Sequence, residues 1–254
     1  MEALQITSTK NTIKMARLKK NGNLSGAVGN IVFVNDGDRV YVRSKPGNVK
    51  QTKSTRNASN TFGWVSKQEK QFRLLLQSKI RFIPGQYFAA RHMARLGKTV
   101  IREESSSGQA IAGFQDPTAL IGFEFNPKLE WERCINFFPD FTIDNSQSFT
   151  VSIPALSWGK EIKPPTSADE ATINIHAIHT DLNQNSVALD VCSSLSVSIK
   201  ETEIIPSQKW TFSIPEKTKW LLVIAIINFD SAKKQLEKSE KTAGTYLWTK
   251  RIEN

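Results

Sequence analysis

The chain has 254 residues, enough to bury a substantial core in one large domain or two smaller ones. Its 14 Phe, 6 Trp and 3 Tyr can fill that core, and 13 Gly with 10 Pro exclude a low-complexity chain. The formal net charge of +10 is unevenly spread: residues 1–110 carry 20 Lys/Arg against 6 Asp/Glu, and residues 111–254 carry 14 against 18. A basic half joined to a mildly acidic one reads as two parts, the first suited to nucleic acid, an anionic surface or an acidic protein neighbour.

The opening "MEALQITSTKNTIKMARLKKNG" lacks the apolar run of a secretory signal. A second methionine at Met15 begins "MARLKKNG", so residues 1–15 are expected to be a flexible extension. The expected location is the cytoplasm, or a particle or assembly that incorporates the chain.

Gly22, Gly26 and Gly29 then punctuate a turn-rich stretch. It has neither the spacing of a phosphate-binding GxxxxGK[ST] loop nor that of GxGxxG, and the strand follows the glycines instead of preceding them. The glycines are instead expected to make tight turns and to let the backbone approach another surface closely. "NIVFVND" and "RVYVRS" read as two strands of a hairpin around Gly37. Strict alternation puts Val40 and Val42 on one side and Arg39, Tyr41 and Arg43 on the other. Residues 48–60 read as a polar basic linker holding Lys50, Lys53 and Arg56.

A helix is expected from about Ser59–Asn60 to "IPG" at Ile83–Gly85, with Phe62, Val65, Phe72, Leu75 and Leu76 on its apolar face. "QYFAARHMARLGK" gives a second helix with Gly97 as its C-terminal cap. "SSSGQ" at Ser105–Gln109 is a flexible connector.

From about residue 111 short strand signals dominate: "AIAGF", "LIGFEF", "CINFF", "SFTVSI", "TINIHAI", "SVALDVC", "LSVSI", "WTFSI", "WLLVIAIINF" and "TYLWTKRI". The eight apolar residues of Trp220–Ile227 are too few to span a membrane and suit a central strand. "SFTVSIPAL" echoes "KWTFSIPEK" some sixty residues later, as two similar strand ends closed by proline. "SAKKQLEKSEK" reads as an exposed loop or short helix. The expected fold is mainly β with an α+β component: a basic hairpin-plus-helix region over 16–108 and an antiparallel β-sandwich over 109–254.

No constellation for chemistry stands out. Cys134 and Cys192 belong to no CxxC pair, and two buried thiols are expected in preference to a bridge. In "HAIH", His176 and His179 fall on opposite faces of a strand, which does not suit a metal. There is no GxSxG, and no catalytic residue, metal or cofactor is assigned.

The segment "KKNGNLSGAVGNIVFVNDGDRVYVRSKPGNVKQTKSTRNASNTFGWVSKQEKQFR" resembles an uncharacterised family common in Bacteroidota. Its members begin with a "G-x-x-G-x-V-G-x-V-V" stretch, followed by an Arg-Ser/Pro turn, a polar linker and a helix rich in Gln, Arg and Phe. The matching positions are Gly26, Val28, Gly29, Ile31, Val32, Arg43, Ser44, Pro46, Phe62, Lys70 and Phe72, within residues 16–80. The resemblance implies a β-sandwich in the C-terminal part and carries over no activity, catalytic residue or ligand.

The expected function is non-enzymatic: a structural or assembly protein acting through β-mediated contacts with a protein partner or a second copy. The expected interaction residues are Gly26, Gly29, Gly37, Arg39, Tyr41, Arg43, Lys50, Lys53 and Arg56. The alternative is a nucleic-acid-binding protein using the same basic region.

Overall fold

The computed structural model describes residues 16–20, 22–36, 39–45, 47, 50–104, 110–144, 147–232 and 236–252. Residues 1–15 and 105–109, expected to be flexible, lie outside them, as does Gly37. Contacts group the chain into two compact units, Met1–Ser54 and Thr55–Asn254.

The first unit is an antiparallel meander of four strands, β1 (Arg17–Leu18), β2 (Leu24–Val28), β3 (Ile31–Asp36) and β4 (Arg39–Ser44), paired in that order. Val28 pairs with Ile31 across the Gly29–Asn30 turn, where Gly29 has φ 57°. Such a two-residue turn needs the left-handed conformation that glycine adopts without strain. The expected hairpin is present, with Asp36 opposite Arg39 and Phe33 opposite Val42.

The helix α1 (Lys53–Lys79) starts two residues before the second unit, and α2 (Phe88–Gly97) follows it. The first helix starts earlier than expected, so Lys53 and Arg56 belong to its first turn and not to a linker. Its polar N-terminal residues are helix-compatible but carry no apolar period by which to announce it. The second helix ends without a left-handed glycine: Lys98 follows at φ −74°, its N–H donating to Arg95 and Leu96 carbonyls.

Then come β5 (Val100–Glu104), β6 (Ala110–Phe114), a 3-10 turn at Pro117–Leu120, α3 (Trp131–Cys134), β7 (Asp140–Ile143), β8 (Ser148–Ile153) and β9 (Leu156–Ser157). The rest is β10 (Glu170–Asp181), β11 (Ala188–Lys200), β12 (Ile204–Ile205), β13 (Gln208–Ser213), β14 (Trp220–Asp230), α4 (Lys238–Lys241) and β15 (Thr242–Arg251). The whole is a mixed α/β fold with several antiparallel sheets. The largest has order β11-β10-β14-β15, and a second has order β13-β8-β7.

The strand β14 is central, and every residue from Trp220 to Ile227 is buried. Alternation splits it between two cores. Leu221, Val223, Ala225 and Ile227 join Phe149, Val151 and Ile153 of β8 in one cluster. Trp220, Leu222, Ile224 and Ile226 join Phe72, Leu76, Phe88 and Leu96 of the helices in the other. The helices therefore pack on the large sheet, and the compact unit starts at Thr55 where the sequence grouping had placed a break near 108. A run apolar on every residue is what a strand covered on both faces requires.

Three strand expectations change. "LIGFEF" touches β15 only pointwise, through Gly122 N–H to Tyr246 O and Phe125 N–H to Gly244 O, because Gly122 at φ 70° breaks the extension. "CINFF" begins on Cys134, the last residue of a helical turn, and continues with a single bridge from Ile135 to Ile162. "SVALDVC" and "LSVSI" are one strand, β11, with a register shift at Cys192 that keeps its pairing with β10. The echoing segments are adjacent strands: β8 pairs with β13, Thr150 opposite Thr211 and their hydroxyls 2.9 Å apart.

Candidate interaction surface

The register of the meander sorts the residues of the first unit onto two faces. Arg17, Val32, Val34, Arg39, Tyr41 and Arg43 share one of them. The three arginines and Tyr41 are exposed, so the structure brings together the Arg39–Tyr41–Arg43 group expected from alternation. The opposite face carries Leu18, Leu24, Val28, Ile31, Val40 and Val42, with Phe33 among them. Those six are exposed, from 40% at Leu24 to 70% at Leu18. The edge strand β4 is exposed at every residue.

The glycines act through conformation. Gly26 has φ 121° and pairs with Phe33, whereas a Cβ on Gly29 would meet nothing within 4 Å. Close approach to a neighbouring surface is therefore not what Gly29 is for within this chain. Lys50, Lys53 and Arg56 are exposed. The first turn of α1 holds no acidic residue, so these cations add to the positive end of the helix dipole. Residues 1–54 hold ten Lys/Arg against three Asp/Glu, concentrating the net charge of the chain in its first unit.

The second unit contains a polar cluster that the sequence did not announce. His92 Nδ1 lies 3.1 Å from Glu69 Oε1, and His92 Nε2 lies 2.9 Å from Tyr246 Oη. Arg73 Nε donates to the same Glu69 oxygen at 2.9 Å. His92 and Tyr246 have no exposed surface, and rings of Phe72, Phe88 and Phe123 surround the imidazole. Burial lowers the His92 pKa against the raising effect of Glu69, and burial followed by the Glu69 charge raises that of Tyr246. A neutral imidazole fits one proton order: Tyr246 O–H donates to Nε2, and Nδ1–H donates to Glu69. A group sealed from solvent meets no substrate in this conformation, and what the cluster does is tie α1, α2 and β15 together. Beside it, Gln68 Nε2 donates to the carbonyls of Leu182 and Gln184, at 2.8 and 2.6 Å, and Gln71 Oε1 accepts from Val187 N–H. The Gln-rich helix thus holds the β10–β11 turn.

Cys134 and Cys192 are free thiols, pushed by burial to about 12 and about 11. His176 Nδ1 is 2.7 Å from Ser194 Oγ, and Asp190 pairs with Lys79 Nζ at 3.0 Å. Among the described residues no group of three or more His, Cys, Asp or Glu is arranged to hold a metal ion. None of the described helices is long and apolar enough to cross a membrane. Comparison with family models, with characterised proteins and with solved structures returns no match.

Proposed function

We propose that the chain is a non-catalytic structural or assembly component that binds protein through its N-terminal sheet. One observation carries this reading: six large apolar side chains lie uncovered on one face of β1–β4, beside an exposed edge strand. Contiguous exposed apolar surface marks interaction sites, and a free edge accepts a strand from another chain. Arg39 and Arg43 on β4 discourage indiscriminate edge pairing and favour a partner bearing carboxylates. In the second unit, the shared core of the β8 and β14 sheets supports reading that unit as a sandwich-like body. A partner of this kind fits incorporation into a particle or assembly.

The nucleic-acid reading draws on the opposite face, where Tyr41 stands between two arginines. One titration separates the two. Fluorescence anisotropy with short single- and double-stranded DNA and RNA at about 0.15 M salt should show no binding tighter than about 10⁻⁶ M. Light scattering on the full chain should show a mass above the monomer that Val42→Lys lowers. Tight, steeply salt-dependent binding that Tyr41→Ala and Arg43→Ala weaken would replace the assembly reading. A monomer at every concentration, with no acidic protein bound, would remove it.

A further inference from the structure

The second unit carries a socket and a knob of opposite charge at its two ends. The socket is lined by α1, α2 and the start of β5: Phe62, Val65, Met93 and Val100 border an apolar cavity of about 530 Å3. Ala94 lines both this cavity and a second depression, whose charged lining is Arg91, Arg95 and Lys98 against the single carboxylate of Glu124. The apolar socket thus adjoins a depression with three cations to one carboxylate. Phe62, at its mouth, is 60% exposed.

The knob follows β11. Ile204 is 73% exposed, and both Glu201 and Glu203 beside it are exposed. Its turn is fixed: Glu203 N–H donates to Lys200 O, Lys200 N–H donates to Glu203 Oε2, and Glu201 N–H donates to Asp169 O. A preordered turn loses little freedom on docking. An aliphatic tip flanked by carboxylates complements an apolar slot beside Arg95 and Lys98 in polarity and charge.

The two cannot meet within one molecule. The β10–β11 turn is hydrogen-bonded to Gln68 on α1, one helical turn from Val65 in the socket. From that turn β11 runs 13 residues to Lys200, about 40 Å at the usual rise of a strand, before the knob begins.

We infer that the Glu201–Ile204 turn of one copy docks into the α1–α2 socket of a second copy, giving a head-to-tail contact between second units. Such a heterologous contact propagates into a ring or an open filament. It goes beyond the N-terminal sheet and does not need it.

The test uses full-length chains carrying Val42→Lys, so that the contact proposed for the N-terminal sheet is removed. Light scattering should still show a mass that grows with concentration. Adding Ile204→Ser, which blunts the knob, or Phe62→Asp, which spoils the socket, should return each chain to a monomer. An equimolar mixture of those two should give a dimer and nothing larger, because one intact knob and one intact socket remain per pair. A misfolded variant could not recover that dimer. A monomeric Val42→Lys chain, single variants that keep their mass, or a mixture that stays monomeric would each overturn the inference. Loss of assembly with Val42→Lys alone would leave the N-terminal reading standing. Loss with Phe62→Asp in an otherwise unaltered chain, where Val42→Lys has no effect, would leave only the socket.

Discussion

His92 on α2 and Tyr246 on β15 are 154 residues apart in sequence and 2.9 Å apart in space. The tyrosine hydroxyl donates to the ring nitrogen that Glu69 leaves free. Tyr246→Phe keeps the ring packing and strands a buried acceptor, at a cost of about 1–3 kcal/mol. Urea unfolding should show a lower midpoint with an unchanged slope. An unaltered midpoint would mean that water or another group replaces the hydroxyl.

The same imidazole makes stability depend on pH. Its folded pKa is lowered, chiefly by burial, so the unfolded chain binds the proton first as pH falls. The stability it confers is fully present above its ordinary value near 6.5, and is lost as pH drops through the folded value. The groups facing it are Glu69, Tyr246 and Arg73, with Arg91 nearby. His176 is shifted in the same direction by burial. Unfolding curves from pH 8 to pH 5 should therefore flatten in part with His92→Gln, and further when His176→Ser is added. A slope unmoved by His92→Gln would contradict the buried, neutral imidazole.

Glu124 works against that slope. Burial first, and then the charges of Glu130 and Glu132, raise its carboxyl to about 7, although Trp131 N–H donates to it at 2.9 Å. A raised carboxyl takes up a proton in the folded state, so its charge costs stability above pH 7 and that cost fades toward pH 4.5. Glu124→Gln keeps an acceptor for Trp131 and should stabilise the chain at pH 8 by about 1 kcal/mol, a figure kept small because the side chain is only half buried. The gain should vanish near pH 5. A loss at pH 8 would show that the ionised carboxylate is held by interactions stronger than its desolvation.

Gly26 and Gly29 separate two kinds of backbone demand. Asparagine reaches φ 57° more readily than φ 121°, so Gly29→Asn should loosen the meander less than Gly26→Asn, which should cost about 1–2 kcal/mol. Amide exchange across residues 24–44 reads the difference directly. Equal protection in the two variants would mean that Gly26 relaxes into an ordinary strand.

What the sequence made legible was local. Alternation in "RVYVRS" placed Arg39, Tyr41 and Arg43 on one face, and the unbroken apolar run from Trp220 marked the central strand. The long helix was visible only from about Ser59–Asn60 onward, because the residues from Lys53 to Ala58 carry no apolar period. The Glu69–His92–Tyr246 cluster left no trace: its members lie on three elements and share no spacing. The same holds for Phe123 and Phe125, which serve the helix-side core, while Trp131 and Phe137, a few residues later, serve the other. A change of side between neighbouring aromatics is set by Gly122 and by the backbone bonds of residues 122–125 to β15, not by a periodic pattern.

The strand β14 has a bearing on how the chain reaches its fold. It is the floor of both cores, yet it follows α1, α2, β8 and β10 in chain order. In synthesis order those elements precede the strand that their apolar faces pack against, Trp220–Asp230. Completion of both cores therefore rests on long-range contacts made late in the chain, a topology that favours slow folding.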